Sequence, residues 1–440
     1  MARFACFFIA LAGVLLAPAA RAQSGVEAAF QKFFAAESPD AAAHSVEGIE
    51  KSGVSFDEAW RRLKAGRSYA AQQSGVVMLK NRTEDGVDHS YAVNVPAGYD
   101  PARRYQVRFQ LHGGVGGRPD NSPRGTGEIG TLAGSEQIYV LPYAGGDTPW
   151  WTNDQILNLN VIVDALKRTY NVDENRVVVS GVSDGATGAY YIAMRDTTPF
   201  ANFLPLNGFI MVLTSDEIDD GFMFPNNLRN KPLFVVNGGR DRLYPTHNVE
   251  PFTKHLIGSG VEIDYRPQPE GEHNTKWWPE VKDSFEKFAA EHPRNPHPEK
   301  LTWEAGDRIH NRAHWLVIDE FGAAGGEAKA LPDANLHLTG VVVAGRADGS
   351  MFPRFKAAGR VDLVRKGNTV DAATNGVTAF TLLLSPDVFD FDQPVKVVAN
   401  GTQVFNARVE RSMKTLLKWA AADNDRTMLY GAEVQIKLSR

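Results

Sequence analysis

Short apolar runs and helically spaced apolar residues alternate along the chain between about residue 76 and residue 292. The runs predict strands at 90–95, 105–111, 138–141, 177–179, 208–213, 233–237 and 261–265. Apolar residues that recur every three or four positions predict helices at about 154–170, directly after residue 183, at 247–257 and at 279–291. This alternation predicts an α/β domain whose doubly wound, mostly parallel sheet is covered by helices on both faces.

The predicted strand 105–111 has one unusual face. A strand that is buried on both faces of a parallel sheet is normally apolar throughout. This strand would instead present an apolar and a polar face, formed by Val107, Phe109 and Leu111 and by Gln106, Arg108 and Gln110.

The segment 23–75 is predicted to be helical. Ser55 and Glu58 fit a capping box, in which each side chain bonds the backbone N–H of the other residue. Apolar side chains on one helix face follow, and Gly66 ends the pattern. Because an apolar helical stripe is usually buried, we expect this segment to be a lid or brace that packs onto the next domain, with a site of its own as the alternative.

Closely spaced prolines between residues 293 and 298 end the α/β pattern and predict a domain boundary. The α/β domain would then span 76–292, and a mostly-β domain would span 299–440. Its predicted elements are strands at 314–320, 335–343, 359–365, 369–384, 395–399 and 402–409 and a helix at 411–421. Asn400-Gly401 predicts a two-residue hairpin turn between the last two strands.

The first residues have the pattern of an export signal. Arg3 precedes an apolar run, 4–16, that is too short for a membrane helix, and small residues follow at Ala20 and Ala22. We expect residues 1–22 to be a signal peptide, with a retained anchor as the alternative. The mature chain would then be secreted or periplasmic. Because the single cysteine, Cys6, lies in this segment, no disulfide is expected.

Composition narrows the choice of partners. The chain of 440 residues is 43% hydrophobic and 22% charged, which is typical of a globular protein, and its formal net charge is −5. This balance gives no reason to expect nucleic acid or an anionic membrane as a partner. The oligomeric state cannot be derived from the sequence.

A chemically distinctive motif follows the run 177–179. The sequence from Gly181 to Gly185 has the form Gly-x-Ser-x-Gly, which predicts a strand, a sharp turn and a helix start, with Ser183 at the tip. The two glycines leave room where strand and helix come together, because a side chain there would clash. Such a turn exposes the Ser183 hydroxyl and places N–H groups of the helix N-terminus beside it.

A serine hydroxyl needs a base, and an acid that orients the base, to act as a nucleophile at neutral pH. Asp241 and His273 follow Ser183 in this order, each just past the carboxyl end of a later predicted strand. Alone, Asp241 could be a turn residue and His273 a solvated loop residue. Together behind the turn they predict a Ser-His-Asp triad. Five other residues are less suitable by position. The acids Asp216, Asp219 and Asp220 lie one strand too early, and the histidines His247 and His255 lie on a predicted helix.

A glycine-rich segment, 112–117, follows a predicted strand ahead of Ser183. Glycine lets backbone approach a substrate carbonyl, so we expect one oxyanion donor from the N–H of Gly114 or Val115 and the other from that of Asp184. We interpret His112 as a structural residue of this loop rather than a base. A phosphate-binding loop is the competing interpretation, but the residues that such loops require are missing.

With these motifs the chain resembles the α/β-hydrolase superfamily. Within it, the chain is similar to secreted esterases of the polyhydroxybutyrate-depolymerase and feruloyl-esterase type, with prolyl-oligopeptidase-like catalytic domains close behind. The resemblance covers roughly residues 76–292. It implies Ser183 as nucleophile, Asp241 as acid, His273 as base and 112–114 as the oxyanion strip. Asp184 is a less common residue after the nucleophile, although its backbone N–H is what this role requires.

The resulting hypothesis is a serine hydrolase that cleaves small or polymeric carboxylic esters through an acyl-enzyme. A serine peptidase is the runner-up, and a non-catalytic binding protein on a hydrolase fold is the alternative from another class. The C-terminal domain could bind polysaccharide or shield the site. No metal or cofactor is expected, because no Asp/Glu/His cluster has metal-ligand spacing. Candidates for substrate binding, which could equally be packing residues, are His112, Trp150, Trp151, Trp277 and Trp278.

Overall fold

The structure is a computed structural model of the chain. It describes residues 16–118, 120–123, 125–322, 333–335, 350–353 and 356–438, with side chains from residue 24 onward. The predicted signal peptide, 1–22, lies outside the described residues except for the backbone of 16–22, and the predicted strand 335–343 lies outside them beyond residue 335. Within the described ranges, no helix combines the length and apolar character needed to cross a bilayer.

Eight α-helices are formed by the described residues. They are α1 (Leu16–Phe34), α2 (Pro39–Lys51), α3 (Phe56–Ala65), α4 (Asn153–Thr169), α5 (Asp184–Arg195), α6 (Thr246–Gly258), α7 (Trp278–Glu291) and α8 (Met413–Asp423). Only half of the predicted capping box is observed. The hydroxyl of Ser55 accepts a hydrogen bond from the N–H of Glu58 at the start of α3, whereas the Glu58 carboxylate accepts from the side chains of Arg61 and Arg62.

An eight-stranded sheet forms the centre of the molecule. Its strands are β1 (Gly75–Arg82), β2 (Asp88–Val95), β3 (Tyr105–Leu111), β4 (Ile138–Pro142), β5 (Val172–Val182), β6 (Asn202–Leu206), β7 (Leu233–Val235) and β8 (Ile263–Tyr265). Their order in space is β1-β2-β4-β3-β5-β6-β7-β8. The strands from β3 to β8 run parallel, and β1 and β2 are antiparallel to their neighbours. The predicted α/β-hydrolase fold is confirmed.

Both faces of this sheet are covered. Val177 and Val179 of β5 lie in the core formed with α4, α5 and α6, whereas Val178 lies in the core formed with α7. Because successive side chains of a strand point to opposite faces, this alternation places apolar cores on both sides.

The polar face of β3 is accommodated by specific partners under α7. Arg108 is fully buried, forms a 2.8 Å ion pair with Glu286 and packs over the rings of Trp278 and Phe285. Burial lowers the pKa of Arg108. Gln106 donates a 2.6 Å hydrogen bond to the side chain of Gln137. The remaining residue of this face, Gln110, lies at the strand end beside the site described below.

One predicted strand is wrong. The run 208–213 forms a short 3₁₀-helix, Ile210–Thr214, and the strand is instead β6, which precedes it. Short apolar runs do not distinguish strand from helix. Asn207 ends β6 with φ of 49°, a left-handed conformation that a continuing strand cannot contain.

The C-terminal region is mostly β, as predicted. Its strands are β9 (Lys300–Ala305), β10 (Arg312–Ala313), β11 (Leu316–Phe321), β12 (Gly359–Lys366), β13 (Thr369–Asn375), β14 (Val377–Leu384), β15 (Val395–Ala399), β16 (Thr402–Ala407) and β17 (Ala432–Lys437). They form the sheets β10-β11-β14-β17 and β16-β15-β13-β12-β9, which share one apolar core. The predicted strand 369–384 is divided at Gly376, and β9, β10 and β17 were not predicted. The domain boundaries stay predictions.

The N-terminal helices pack mainly against the C-terminal helix, not against the next domain in sequence as predicted. Their buried side chains form one apolar cluster with Leu416, Leu417, Ala420 and Ala421 of α8. An apolar stripe identifies a buried helix face, but it does not identify the partner that covers this face.

A buried ion pair joins the C-terminal region to the α/β unit. Arg294 and Asp425 are both fully buried, with a nitrogen–oxygen distance of 2.7 Å, and the ammonium of Lys167 in α4 lies 3.4 Å from the same carboxylate. Burial disfavours the charged carboxylate, but Arg294 and Lys167 together hold the pKa of Asp425 well below its usual range.

Candidate active site

Ser183 occupies a strained turn between β5 and α5. Its backbone has φ of 57° and ψ of −117°, which non-glycine residues rarely adopt. The turn is as tight as predicted, because a Cβ at Gly181 would lie 2.1 Å from the carbonyl oxygen of Gly185, and one at Gly185 would lie 2.1 Å from that of Leu111. The N–H of Ser183 donates to the carbonyl of Leu206 in the neighbouring strand, which holds the turn in place.

The imidazole of His273 lies within hydrogen-bonding distance of both other side chains predicted as a triad. Nε2 of His273 is 2.9 Å from Oγ of Ser183, and Nδ1 of His273 is 2.7 Å from Oδ2 of Asp241. The carboxylate can only accept, so Nδ1–H donates to it and Nε2 is left to accept the serine proton. The arrangement can therefore remove a proton from Ser183.

Asp241 is held rigidly. Its side chain is fully buried, and Oδ1 accepts hydrogen bonds from the N–H groups of Leu243 at 2.7 Å and Tyr244 at 3.0 Å. Burial raises the pKa of the Tyr244 hydroxyl, with added contributions from the charges of Asp184 and Asp241. The ring of Tyr244 packs edge-on against His273, with centroids 5.7 Å apart.

Glycines allow the acid loop and the histidine loop to meet. A Cβ at Gly238 would lie 2.3 Å from the carbonyl oxygen of Gly271, so a side chain there would separate the two loops. The N–H of Arg240 donates to the same carbonyl at 2.8 Å. Direct backbone contact thus fixes the spacing between Asp241 and His273.

Asn207 also contacts the site, although no motif in the sequence predicted it. Its side chain donates a 2.7 Å hydrogen bond to the carbonyl of Asn274, next to His273, and its N–H donates to the carbonyl of Val236. Asn tolerates the left-handed conformation found here better than most residues. An Asn directly after a strand near a predicted site is the sequence signal that could have identified it.

The glycine-rich loop lies against the nucleophile. A Cβ at Gly113 would lie 2.9 Å from Cβ of Ser183, so only glycine fits. Of the two alternative donors in this loop, the N–H of Val115 is occupied, because it donates to Oδ2 of Asp184 at 2.7 Å. The prediction for Val115 is therefore corrected, and Gly114 is left as the donor candidate. Asp184 begins α5, where its backbone N–H belongs to the unpaired first turn.

His112 has structural contacts of the kind predicted. Its Nε2 accepts a hydrogen bond from the N–H of Ala144 at 3.1 Å, and its carbonyl accepts one from Nε1 of Trp150 at 2.8 Å. The guanidinium of Arg118 lies 3.3 Å from the same ring nitrogen. These contacts fix the start of the glycine-rich loop.

The tryptophans do not form a stacking platform. Trp150 is fully buried, and Trp277 and Trp278 are each 4% exposed, so these three are packing residues and their suggested substrate contact is wrong. Trp151 is partly buried against the same core as Trp150. Residue type alone could not show the depth of these side chains.

The other candidate acids and bases have different partners. Asp220 forms an ion pair with Arg195, and the ring of His255 contacts the carbonyl of Ala334. Among the residues that the structure describes, no group of three or more His, Cys, Asp or Glu side chains could hold a metal ion.

A cavity of about 490 Å³ flanks the triad. It extends from the glycine-rich loop to the segment 125–132 and the end of β4. Its lining is formed by Gln110, His112, Gly113, Arg118, Gly125, Thr126, Gly127, Glu128, Ile129, Gly130, Leu132, Leu141, Pro142, Tyr143, Val182 and Thr275. Cavities of this size commonly bind small molecules.

No family model matches the chain. Its sequence is 28% identical over 137 residues to a bifunctional acetylxylan esterase/xylanase of Neocallimastix patriciarum, a match covering 28% of the chain and only 18% of that protein. It is 24% identical over 182 residues to a probable feruloyl esterase C of Aspergillus terreus, covering 39% of the chain and 67% of that protein. A solved ferulic acid esterase superposes on 50% of the chain and 99% of its own, with 18% identity and a TM-score of 0.39. The chain is therefore similar in sequence to esterases, and its sheet has the α/β-hydrolase order.

Proposed function

We propose that the protein is a serine hydrolase that cleaves carboxylic esters. The observation that carries this proposal is the chain of contacts from Ser183 through His273 to Asp241, with distances of 2.9 and 2.7 Å. The runner-up, a peptidase, would use the same triad. We favour esters because the two relatives in sequence are named as esterases.

In the proposed reaction Ser183 Oγ attacks the ester carbonyl while Nε2 of His273 takes its proton. The negative charge on the carbonyl oxygen would be stabilised by the N–H groups of Gly114 and Asp184, at the N-terminus of α5. His273 then returns the proton to the leaving alcohol, and an acyl-enzyme forms on Ser183. His273 then deprotonates a water molecule, which attacks the acyl group. The bond between the acyl carbon and Ser183 Oγ breaks, His273 returns the proton to Oγ, and the acid is released. Throughout, Asp241 orients the imidazole and stabilises its cationic form.

The proposed site of action is outside the cytoplasm, in the periplasm or the medium. Support comes from the export pattern in residues 1–22. Expression of the full chain followed by N-terminal sequencing of the exported protein tests this proposal. A first residue of Gln23 is expected, and an uncleaved N-terminus would contradict it.

Labelling with a fluorophosphonate probe tests the catalytic proposal. Wild-type protein should be labelled at Ser183, and Ser183→Ala should not be labelled. Ser284→Ala is the matched control, because Ser284 lies on α7 and its hydroxyl donates to the carbonyl of Val281. Absence of labelling in folded wild-type protein would contradict an active triad. A panel of p-nitrophenyl esters and aminoacyl nitroanilides then separates esterase from peptidase activity.

A further inference from the structure

The cavity lies close enough to the triad to hold part of a reacting substrate. Its lining includes Val182, directly before the nucleophile, and Thr275, two residues after His273. It also includes Gly113, where a Cβ would lie 3.6 Å from Oγ of Ser183. A group bonded to the reacting ester carbon or oxygen therefore extends naturally into this cavity.

The size of the cavity exceeds what a small acyl group requires. Pockets that enclose whole small ligands have volumes of about 300–1,000 Å³, and this cavity of about 490 Å³ lies within that range. Part of its wall is apolar, formed by Leu132, Leu141 and Pro142. A two-carbon acetyl group would leave most of the space unfilled, whereas the cavity has ample room for a group that contains a ring.

Gln110 contributes a buried polar group to the cavity. Its side chain is 7% exposed, and one end of its carboxamide is engaged by the hydroxyl of Ser180 at 2.8 Å. The other end makes no hydrogen bond to any residue that the structure describes. Whichever way the amide is turned, one polar atom is left for a ligand. A polar ligand group that enters the cavity can therefore form a hydrogen bond with this atom.

Tyr143 contributes a second such group. The residue is 4% exposed and lines the same cavity, and its hydroxyl makes no hydrogen bond to a described residue. Burial raises the pKa of this hydroxyl, although the charge of Arg118 acts in the opposite direction. The group is therefore neutral at physiological pH and can either donate or accept a hydrogen bond.

We propose that this cavity binds a ring-sized, hydroxyl-bearing part of the ester substrate, and that Gln110 and Tyr143 are its specificity-determining residues. This proposal rests on the proposed hydrolase function. A substrate hydroxyl both donates and accepts, so it satisfies the carboxamide in either orientation and the phenol as well. The hydroxyl could belong to a hydroxyaryl acyl group or to a sugar that forms the alcohol side.

The test compares matched pairs of esters on both sides of the bond. The acyl pair is methyl 4-hydroxyphenylpropanoate and methyl phenylpropanoate. The alcohol pair is an acetylated methyl pentoside and its monodeoxy analogue. For each pair the ratio of kcat/KM, hydroxylated over unhydroxylated, is measured with wild type, Gln110→Leu and Tyr143→Phe. The matched control is Gln106→Leu, since Gln106 lies on the same face of β3 but bonds Gln137 outside the cavity.

In wild type the ratio should exceed one in the pair whose hydroxyl enters the cavity. That pair shows whether the hydroxyl belongs to the acyl side or to the alcohol side of the ester. Gln110→Leu and Tyr143→Phe should each lower this ratio roughly 3- to 10-fold, as expected for one neutral hydrogen bond, and Gln106→Leu should not. Ratios that neither variant lowers in either pair overturn this proposal. If the hydrolase proposal itself fails, none of the esters will be turned over in a way that depends on Ser183, and this outcome differs from turnover with unchanged ratios.

Discussion

The carboxylate of Asp184 accepts a hydrogen bond from the backbone N–H of Val115 at 2.7 Å. This contact joins the residue after the nucleophile to the glycine-rich loop, 69 positions earlier in the chain. The side chain thus holds Gly113 and Gly114 against Ser183. It also occupies the N–H that would otherwise compete with Gly114 as an oxyanion donor. Asp184 is accordingly a positioning residue whose side chain acts through the loop.

Removal of this contact should reduce turnover more than substrate binding. In Asp184→Ala the loop loses its tether, and we expect kcat for p-nitrophenyl acetate to fall about tenfold with KM little changed. In Asp184→Asn the amide oxygen still accepts from Val115, so most of the turnover should return. Steady-state kinetics of both variants check this. Equal losses in the two variants would show that the carboxylate charge, not the tether, is important.

Asn207 should support the position of His273. Asn207→Gly keeps the left-handed backbone but loses the bond to the carbonyl of Asn274, so we expect kcat to fall severalfold with little loss of stability. Asn207→Ala loses the bond and also strains the backbone, which adds about 1 kcal/mol of destabilisation. Kinetics and chemical unfolding of both variants test this. Wild-type turnover in Asn207→Gly would remove Asn207 from the support of the triad.

The glycines of the turn should be intolerant of any side chain. In Gly181→Ala the new Cβ meets backbone atoms at 2.1 Å that cannot move without separating β5 from α5, so we expect a loss of at least about 3 kcal/mol in stability. The control is Gly116→Ala in the glycine-rich loop, where a Cβ meets nothing within 4 Å. Its stability should change by less than about 1 kcal/mol. Urea unfolding compares them, and similar losses would contradict the steric argument.

The triad could be predicted from the sequence because its geometry follows from topology. The carboxyl ends of parallel strands meet at one edge of a sheet, so an acid and a histidine just beyond two later strands converge on the turn that carries Ser183. The glycines at 181 and 185 were likewise predictable, since a close approach of two backbones leaves room for no other residue.

Other features depend on packing that the sequence does not specify. Trp150 and Trp278 lie near the site in sequence, yet both are buried, because residue type does not determine depth. The apolar stripe of α3 indicated a buried face, but not that α8 would cover it. Only the folded structure shows that the Asp184 side chain reaches Val115.

The buried side chain of His297 should make the protein less stable in mild acid. His297 lies near the junction between the α/β unit and the C-terminal region, is 5% exposed, and packs edge-on against Tyr430 with centroids 5.7 Å apart. Burial disfavours the charged ring and lowers the pKa of His297 to about 4. In the unfolded chain the pKa of a histidine is about 6.5.

Between these two values the unfolded state binds more protons at this residue than the folded state, so the free energy of unfolding must fall as the pH falls from about 6.5 to about 4. The full contribution of His297 across this range is about 3 kcal/mol. In His297→Leu this contribution is absent. The free energy of unfolding of the variant, relative to that of wild type, should therefore rise as the pH is lowered. Urea unfolding of both proteins at pH 7.5 and pH 5 measures this shift, and a difference that does not change with pH would contradict the prediction.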